Sequence, residues 1–295
     1  MQAIVYYLTL PFLYLVSLLP FPLLYAISDF FFFLLFHVIG YRRKVVFNNL
    51  RNSFPEKTEA EIKQIEKSFY KHLCDMFLET FKTLTISSES MLKHCSVHPE
   101  AKALLDDLAQ KNQSVVLVMG HHGNWEWGGN SFSLVCKQQL FVIYHPLQNQ
   151  YFNQLIIKMR TRFGTKLIAM QDTFREMVRN KNIVSATAFI ADQTPAPENA
   201  YWTNFLNQDT PVFWGTERIS KKMRYPVVYV HISKLKRGYY QLSAEMLIED
   251  AKATAEGEVT EVFTRKLEQL IKQQPETWLW SHKRWKHKRP VGSFV

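Results

Sequence analysis

The first 40 residues constrain this chain more than any other feature, because they carry almost no charge. Residues 4–19 are uncharged and mostly apolar, Pro20 and Pro22 follow, and a second apolar block from Leu23 to Gly40 is broken only by Asp29. A spanning helix needs about 20 apolar residues, so the first block is slightly short and the two together are too long for one straight span. The pattern predicts either one spanning helix beside an interfacial one, or a shallow helical hairpin.

Two other interpretations of this segment are weaker. A cleaved signal peptide has a basic start and a small-residue cleavage site, and neither is found here. Two buried helices of a soluble protein are disfavoured, since uncharged stretches this long are unusual in soluble chains. Arg42, Arg43 and Lys44 directly follow the apolar blocks, which predicts that the rest of the chain faces the cytoplasm. We therefore expect a membrane anchor over residues 1–41 and a cytoplasmic-side domain over residues 42–295.

Charge and cysteine content narrow the classes of partner and site. The formal net charge of +10 favours polyanions such as nucleic acid, phosphorylated molecules or anionic lipid head groups. An apolar anchor makes the membrane the expected partner and argues against nucleic acid. The three cysteines, at positions 74, 95 and 136, are scattered without a CxxC pair, which is typical of a reducing compartment. No glycine-rich phosphate loop or dense His/Cys cluster occurs, so we expect neither a metal nor an organic cofactor.

Beyond residue 113 the chain alternates between two hydrophobic periodicities. Short apolar runs predict strands at 114–119, 140–144, 166–170, 183–190, 227–232 and 239–246, the last two forming a hairpin around Lys236-Arg237-Gly238. Helical spacing occurs at 152–162, 172–179, 215–223 and 259–273. The alternation predicts an α/β fold, a layered domain with a central mixed sheet flanked by helices. A long loop is expected from Gln193 to Gly215, and loops of that length are often functional.

A polar cluster directly follows the valine-rich strand. It reads Gly120-His121-His122-Gly123-Asn124-Trp125-Glu126-Trp127-Gly128-Gly129. Open α/β sheets place ligands at the carboxyl ends of strands, and an imidazole beside a carboxylate is a general-base arrangement. Helical spacing favours a pair of His122 with Glu126, whereas a looped backbone would bring His121 to Glu126 instead. The residues themselves leave this choice open, and both histidines could simply satisfy loop backbone.

The motif resembles the G-H-x-G-N-W-E signature of the late acyltransferases of lipid A biosynthesis, and the resemblance covers essentially the whole chain. The further matching elements, in chain order, are Asn49-Leu50, Phe54-Pro55-Glu56, Tyr144-His145-Pro146 with Asn149, Arg160-Thr161-Arg162, Ala191-Asp192-Gln193, Phe205, Thr210-Pro211, and the tryptophan-rich run from Pro275 to Pro290. One position departs from the pattern, because His145 stands where the family usually has arginine. That departure makes acceptor recognition the least secure part of the resemblance.

The resemblance implies a reaction and a set of site residues. The enzyme would move a fatty acyl chain from acyl carrier protein to a hydroxyl of a 3-hydroxyacyl chain on a lipid A precursor, at the inner membrane. His121 and Glu126 match the family's catalytic histidine and carboxylate. We expect substrate contacts from four further residues, namely Arg160, Asn124, Asp192 and Arg162.

Two alternatives stay open beside this hypothesis. The acceptor could be another lipid, a lysophospholipid or an amino-acid lipid, or the chain could be a non-catalytic membrane protein that binds anionic lipid. The tryptophans and basic residues of 278–289 fit a bilayer interface, and we expect them to contact anionic head groups.

Overall fold

A computed structural model describes residues 2–290 and is built around a seven-stranded mixed sheet. The strands of the chain are β1 (Cys95–Val97), β2 (Val115–Met119), β3 (Gln139–Tyr144), β4 (Lys166–Ala169), β5 (Ser185–Ile190), β6 (Ala200–Phe205), β7 (Gln208–Phe213), β8 (Val227–Lys236) and β9 (Tyr239–Ile248). The sheet order is β1-β9-β8-β2-β5-β3-β4, and every pairing is parallel except the β8–β9 hairpin. The predicted mixed α/β sheet and its late hairpin are confirmed.

Eleven α-helices surround the sheet within the described residues. They are α1 (Gln2–Leu18), α2 (Phe21–Phe33), α3 (Arg43–Ser53), α4 (Glu59–Lys82), α5 (Ser88–His94), α6 (Pro99–Gln110), α7 (Trp125–Val135), α8 (Gln150–Thr161), α9 (Thr173–Arg179), α10 (Gly215–Met223) and α11 (Glu258–Gln273). A π-helical turn, Leu34–Ile39, prolongs α2. Helix α4 begins at a capping box in which Thr58 and Glu61 exchange hydrogen bonds, as its sequence predicts.

Strand β2 lies in the middle of the sheet and is buried along its whole length. Val116 and Val118 face a core layer that includes residues of α3, α4 and α11, whereas Leu117 and Met119 face a second layer with residues of α6 and α7. A strand buried on both faces reads as a continuous apolar run, which is why this segment was recognisable in the sequence.

The prediction of a loop from Gln193 to Gly215 is wrong over much of that range. Strands β6 and β7 form an antiparallel hairpin there, whose register pairs Ala200 with Phe213. Leu206 and Asn207, the two residues between the strands, both have positive φ angles of 51° and 63°. This backbone geometry suits a tight hairpin turn. Leucine is not a typical turn residue, so the sequence did not indicate a hairpin turn at this position. The prolines of the segment indicated only a loop.

The two N-terminal helices pack along α4, and α1 also contacts α8. The stretch Phe21–Ile39 is long and apolar enough to cross a membrane by length and composition. Lys82 of α4 is buried and donates hydrogen bonds to the carbonyl oxygens of Ser17 and Leu19, at 2.8 and 2.6 Å. This lysine therefore satisfies carbonyl groups at the end of α1, where helices leave acceptors unpaired.

Candidate active site

The candidate site begins where β2 ends, because Gly123 forces the chain to turn. Its φ angle is +64°, and a Cβ atom there would lie 2.0 Å from the carbonyl oxygen of Ile232. Only glycine fits such a backbone conformation and approach. Asn124 then caps α7 by accepting a hydrogen bond from the backbone N–H of Trp127 at 3.0 Å. The histidines of the motif are thus held in a loop, and Glu126 lies in the first turn of the helix.

His121 is hydrogen-bonded to Asp192, because the sheet places their strands side by side. In the parallel pair of β2 and β5, Met119 lies opposite Ile190. His121 lies two positions after Met119, and Asp192 lies two positions after Ile190. Asp192 accepts from the backbone N–H of His121 at 2.9 Å, and its other oxygen lies 2.5 Å from Nδ1 of the imidazole. Nδ1 therefore carries the proton, which leaves Nε2 of His121 as an acceptor that faces the amide of Gln193 at 3.3 Å.

Asp192 is held in place by the C-terminal segment. Its side chain is fully buried, and the indole Nε1 of Trp278 donates a hydrogen bond to it at 2.8 Å. The guanidinium of Arg284, itself buried, lies 3.4 Å away. Burial would raise the pKa of Asp192, but His121 and Arg284 outweigh it and hold that pKa well below its usual range. The carboxylate is therefore ionised beside the histidine.

Glu126 has a different partner from the one expected. Arg160, near the end of α8, contacts both of its carboxylate oxygens, with a distance of 2.9 Å from Nε to Oε2. Burial works against this arginine, but the Glu126 carboxylate outweighs it and raises the pKa of Arg160. The geometry thus differs from the expected His121–Glu126 dyad. The carboxylate hydrogen-bonded to the histidine is that of Asp192, and Glu126 forms a bidentate pair with Arg160.

His122 points into the interior instead of the site. It is 1% exposed, and its ring contacts the carbonyl oxygen of Gln274 at 3.2 Å and the hydroxyl of Thr277 at 2.8 Å. Burial lowers the pKa of His122 to about 4. Of the two adjacent histidines, His122 is therefore enclosed by the fold, whereas His121 is partly exposed and lines the cavity.

Asn124 and Arg162 are placed apart from the site cavity, which differs from the substrate contacts expected of them. Asn124 is completely buried and donates a hydrogen bond to Glu79 of α4 at 2.8 Å. The hydroxyl groups of Tyr25 and Tyr240 donate to the same carboxylate, each at 2.8 Å. Arg162 donates from Nη1 to the carbonyl oxygen of Thr83 at 2.5 Å.

A cavity of about 330 Å³ opens beside the His121 side chain. The polar and charged side chains that line it include His121, Glu126, Arg160, Gln193 and His145. Most of the remaining wall is apolar and lies between the sheet and α7; it includes Leu117, Phe132, Leu140, Val142, Ala188, Ile190, Val230, Ile232 and Leu242. Such a cavity, with a mostly apolar wall and a group of polar side chains that includes His121, suits a molecule with a fatty chain and a polar reacting end.

The sequence analysis did not predict that the C-terminal segment would contact Asp192 and support the site. Trp278 and Trp280 are 1% and 0% exposed, so the prediction that these tryptophans contact a bilayer interface is wrong. Trp280 packs on Phe54, and Asn49 of α3 donates to its carbonyl oxygen at 2.9 Å. The basic residues around the tryptophans had suggested a surface, whereas the fold encloses Arg284 beside Asp192.

This chain is similar to known proteins over most of its length. Residues 1–287 match the family model described as bacterial lipid A biosynthesis acyltransferase. A lipid A biosynthesis myristoyltransferase of Escherichia coli (strain K12) is 20% identical over 258 residues, an alignment that covers 84% of this chain and 76% of the relative. Lipid A biosynthesis acyltransferase 1 of Shigella flexneri is 21% identical over 260 residues, with the same coverage of both chains.

Proposed function

The chain belongs to the bacterial lipid A biosynthesis acyltransferase family, and on that premise we propose the finer reaction that its site performs. The donor is a fatty acyl thioester of acyl carrier protein, and the acceptor is a hydroxyl of a 3-hydroxyacyl chain on a lipid A precursor. The observation that carries the proposal is the partly exposed His121 side chain in the wall of a mostly apolar cavity, with the buried Asp192 carboxylate behind the same ring.

His121 is the general base. Its Nε2 takes the proton of the acceptor hydroxyl while that oxygen attacks the thioester carbonyl carbon. The carbon–sulfur bond then breaks, and the leaving thiolate takes the proton back from the imidazolium. The products are the new ester and the free thiol of the carrier protein, so no covalent acyl-enzyme is required.

Asp192 steadies the base. By accepting from Nδ1 it fixes the tautomer with a free Nε2 lone pair, and its charge stabilises the imidazolium that forms. Gln193 donates to Nε2 in the resting site and is the contact that the acceptor hydroxyl replaces. Glu126 positions Arg160 instead of His121. It fixes a guanidinium that lines the cavity and is 27% exposed, where anionic oxygens of substrate arrive.

The apolar part of the cavity supports an acyl ligand. Burial of a fatty chain against Leu140, Ala188 and Val230 removes apolar surface from water, at roughly 25 cal/mol per Å². The acyl chain of the donor would then run between the sheet and α7, and the thioester would lie beside His121.

Localisation follows from the same premise. A lipid acceptor is held in a membrane, and we propose the inner membrane, with the domain of residues 42–295 on the cytoplasmic side. The exposed apolar residues of α1 and α2 and the basic residues after them support this placement.

The test is an acyl-transfer assay. Membranes that contain the protein receive acyl carrier protein thioester and a radiolabelled tetra-acylated lipid A precursor, with and without its inner-core sugar. We expect a labelled product with one more acyl chain, which the His121→Ala variant does not form. A folded wild-type protein that transfers nothing to either precursor would refute this acceptor.

A different lipid acceptor has one observation in its favour. His145, where the family usually has arginine, lines the cavity. A lysophospholipid offered in the same assay is the comparison, and transfer to it alone would establish this second function.

A further inference from the structure

Helix α2 has two different faces. Its buried stripe consists of Leu24, Ser28 and Phe32, and Phe36 of the following π-helical turn continues it, each four residues apart and facing α4 and the α/β domain. The opposite side exposes apolar side chains, among them Leu23 (54% exposed), Phe30 (59%) and Val38 (65%). Helix α1 repeats this arrangement with four exposed side chains at helical spacing, Ile4, Leu8, Phe12 and Leu15. We call these exposed side chains of the two helices the apolar face of the helix pair.

Charged groups fasten the middle of α2 to the domain. Asp29 accepts from Arg237, at the tip of the β8–β9 hairpin, at 2.7 and 3.1 Å. The same guanidinium contacts both oxygens of the buried Asp75 of α4, at 2.7 to 3.1 Å. Ser28 donates to Asp75 at 2.7 Å, and Arg237 also donates to the carbonyl oxygen of Tyr25 at 3.2 Å. Movement of α2 away from the domain would break the Asp29–Arg237 ion pair and the hydrogen bond of Ser28 to the buried Asp75 carboxylate.

A transmembrane orientation conflicts with this fastening. The stretch Phe21–Ile39 has 19 residues, about 28 Å of helix, which would just fill a hydrocarbon core of about 30 Å. Asp29 lies one position from its centre, so Asp29, Arg237 and Asp75 would lie near the middle plane of the bilayer. The exposed turn at Lys236 would enter hydrocarbon with them, and irregular backbone facing lipid is not tolerated there.

We propose that α1 and α2 lie flat in a single leaflet of a phospholipid bilayer, with their apolar face toward the acyl chains and neither helix crossing. The ion pair of Asp29 and Arg237 then lies at head-group depth, where both side chains stay hydrated. Interfacial helices with one apolar face occupy this depth, with the apolar side about 5–10 Å into the head-group boundary. The inference concerns the membrane contact alone and holds or fails independently of the proposed reaction.

The experiment measures depth at three places along Phe21–Ile39, which comprises α2 and the π-helical turn. Leu23, Phe30 and Val38 are replaced singly by cysteine, labelled with a fluorophore, and reconstituted into vesicles of phosphatidylethanolamine and phosphatidylglycerol. Quenching by lipids with a nitroxide near the glycerol is compared with quenching by a nitroxide near the chain end. Unsubstituted protein, in which Cys74 and Cys95 are buried and Cys136 is partly buried, gives the labelling background.

A flat helix gives the same shallow depth at all three positions. A spanning helix instead places Phe30 deepest, about 10 Å below Leu23 at 1.5 Å per residue, and that profile would overturn the proposal. Because all three side chains are exposed, these substitutions leave the buried stripe intact. A second measurement uses Leu19→Cys, in the turn between α1 and α2. A membrane-impermeant maleimide supplied only on the side opposite the domain must leave it unlabelled, and labelling there would also overturn the proposal.

Discussion

Replacement of Asp192 by asparagine is the sharpest test of the proposed base, because it changes charge and tautomer with little change in shape. In the unsubstituted protein the Asp192 carboxylate accepts hydrogen bonds from the backbone N–H and Nδ1 of His121 and from Nε1 of Trp278. Asparagine has one acceptor oxygen, and if that oxygen keeps the Trp278 and backbone contacts, its NH₂ group faces Nδ1. The imidazole is then forced into the tautomer that presents a proton, not a lone pair, to the acceptor hydroxyl.

The expected loss is in kcat. General-base catalysis contributes about 10²–10⁴-fold, so we expect kcat to fall by about 10³-fold, equivalent to about 4 kcal/mol of transition-state free energy. KM should change little, because the Asp192 side chain is fully buried behind His121 and does not itself line the cavity proposed to bind substrate. The assay is acyl transfer with varied donor and acceptor concentrations.

Two controls separate this effect from misfolding. Asp172→Asn makes the same chemical change in a surface ion pair with Arg175, and it should keep wild-type kcat. Thermal unfolding of the Asp192→Asn protein is measured in parallel, since Arg284 loses its buried partner. A folded variant with kcat within about tenfold of the wild type would refute the role of Asp192 as the residue that orients the base.

Three further predictions follow from the same geometry. Glu126→Gln should raise KM for the acceptor more than it lowers kcat, because it releases the guanidinium of Arg160 and leaves the bond behind His121 intact; steady-state kinetics decide, and an effect confined to kcat would instead favour direct action on the base. Acid should act in opposite directions on two buried groups, measured by the pH dependence of thermal unfolding from pH 7.5 to 4. His122, with its pKa lowered to about 4, stabilises the fold above pH 6.5 and loses about 3 kcal/mol as pH falls to about 4, so the advantage of the wild type over His122→Gln should shrink with acid. Burial raises the pKa of Glu79 to about 7, which costs about 3 kcal/mol at high pH and is relieved as pH falls toward 4.5, so the advantage over Glu79→Gln should grow with acid; parallel pH curves for the two variants would contradict both assignments. Ala188→Leu fills part of the cavity wall and should shift donor preference toward shorter acyl chains in competition assays, and an unchanged chain profile would place the acyl chain elsewhere.

Local patterns in the sequence predicted the positions of many strands and helices and of the polar cluster around His121. The apolar run of β2 marks a strand buried on both faces, and the mid-chain helices and strands begin and end within a few residues of their predicted positions. Helix α10 covers the predicted range of 215–223. The polar cluster after β2 was recognisable because strand ends are where such sheets place ligands, and His121 lies there. These features depend on neighbours along the chain, so the sequence contains them directly.

The partner of His121 was decided only by the tertiary structure. Asp192 lies 71 positions along the chain from His121, and only the sheet order makes their strands adjacent. Once β2 and β5 pair in parallel with Met119 opposite Ile190, the two side chains meet two residues beyond that pair. Glu126, only five positions away, was the natural choice in sequence, but the start of α7 directs it to Arg160.

The burial of charged and aromatic groups was likewise beyond the sequence. Trp278 and Arg284 read as surface residues among lysines, yet the fold encloses them around the Asp192 carboxylate. Asp29 read as a lone charge in an apolar block, yet Arg237 meets it from a hairpin that lies 208 positions away. Periodicity reports which residues share a face of one element. It does not report which distant charge that face will meet, because pairing depends on the order in which strands and helices assemble.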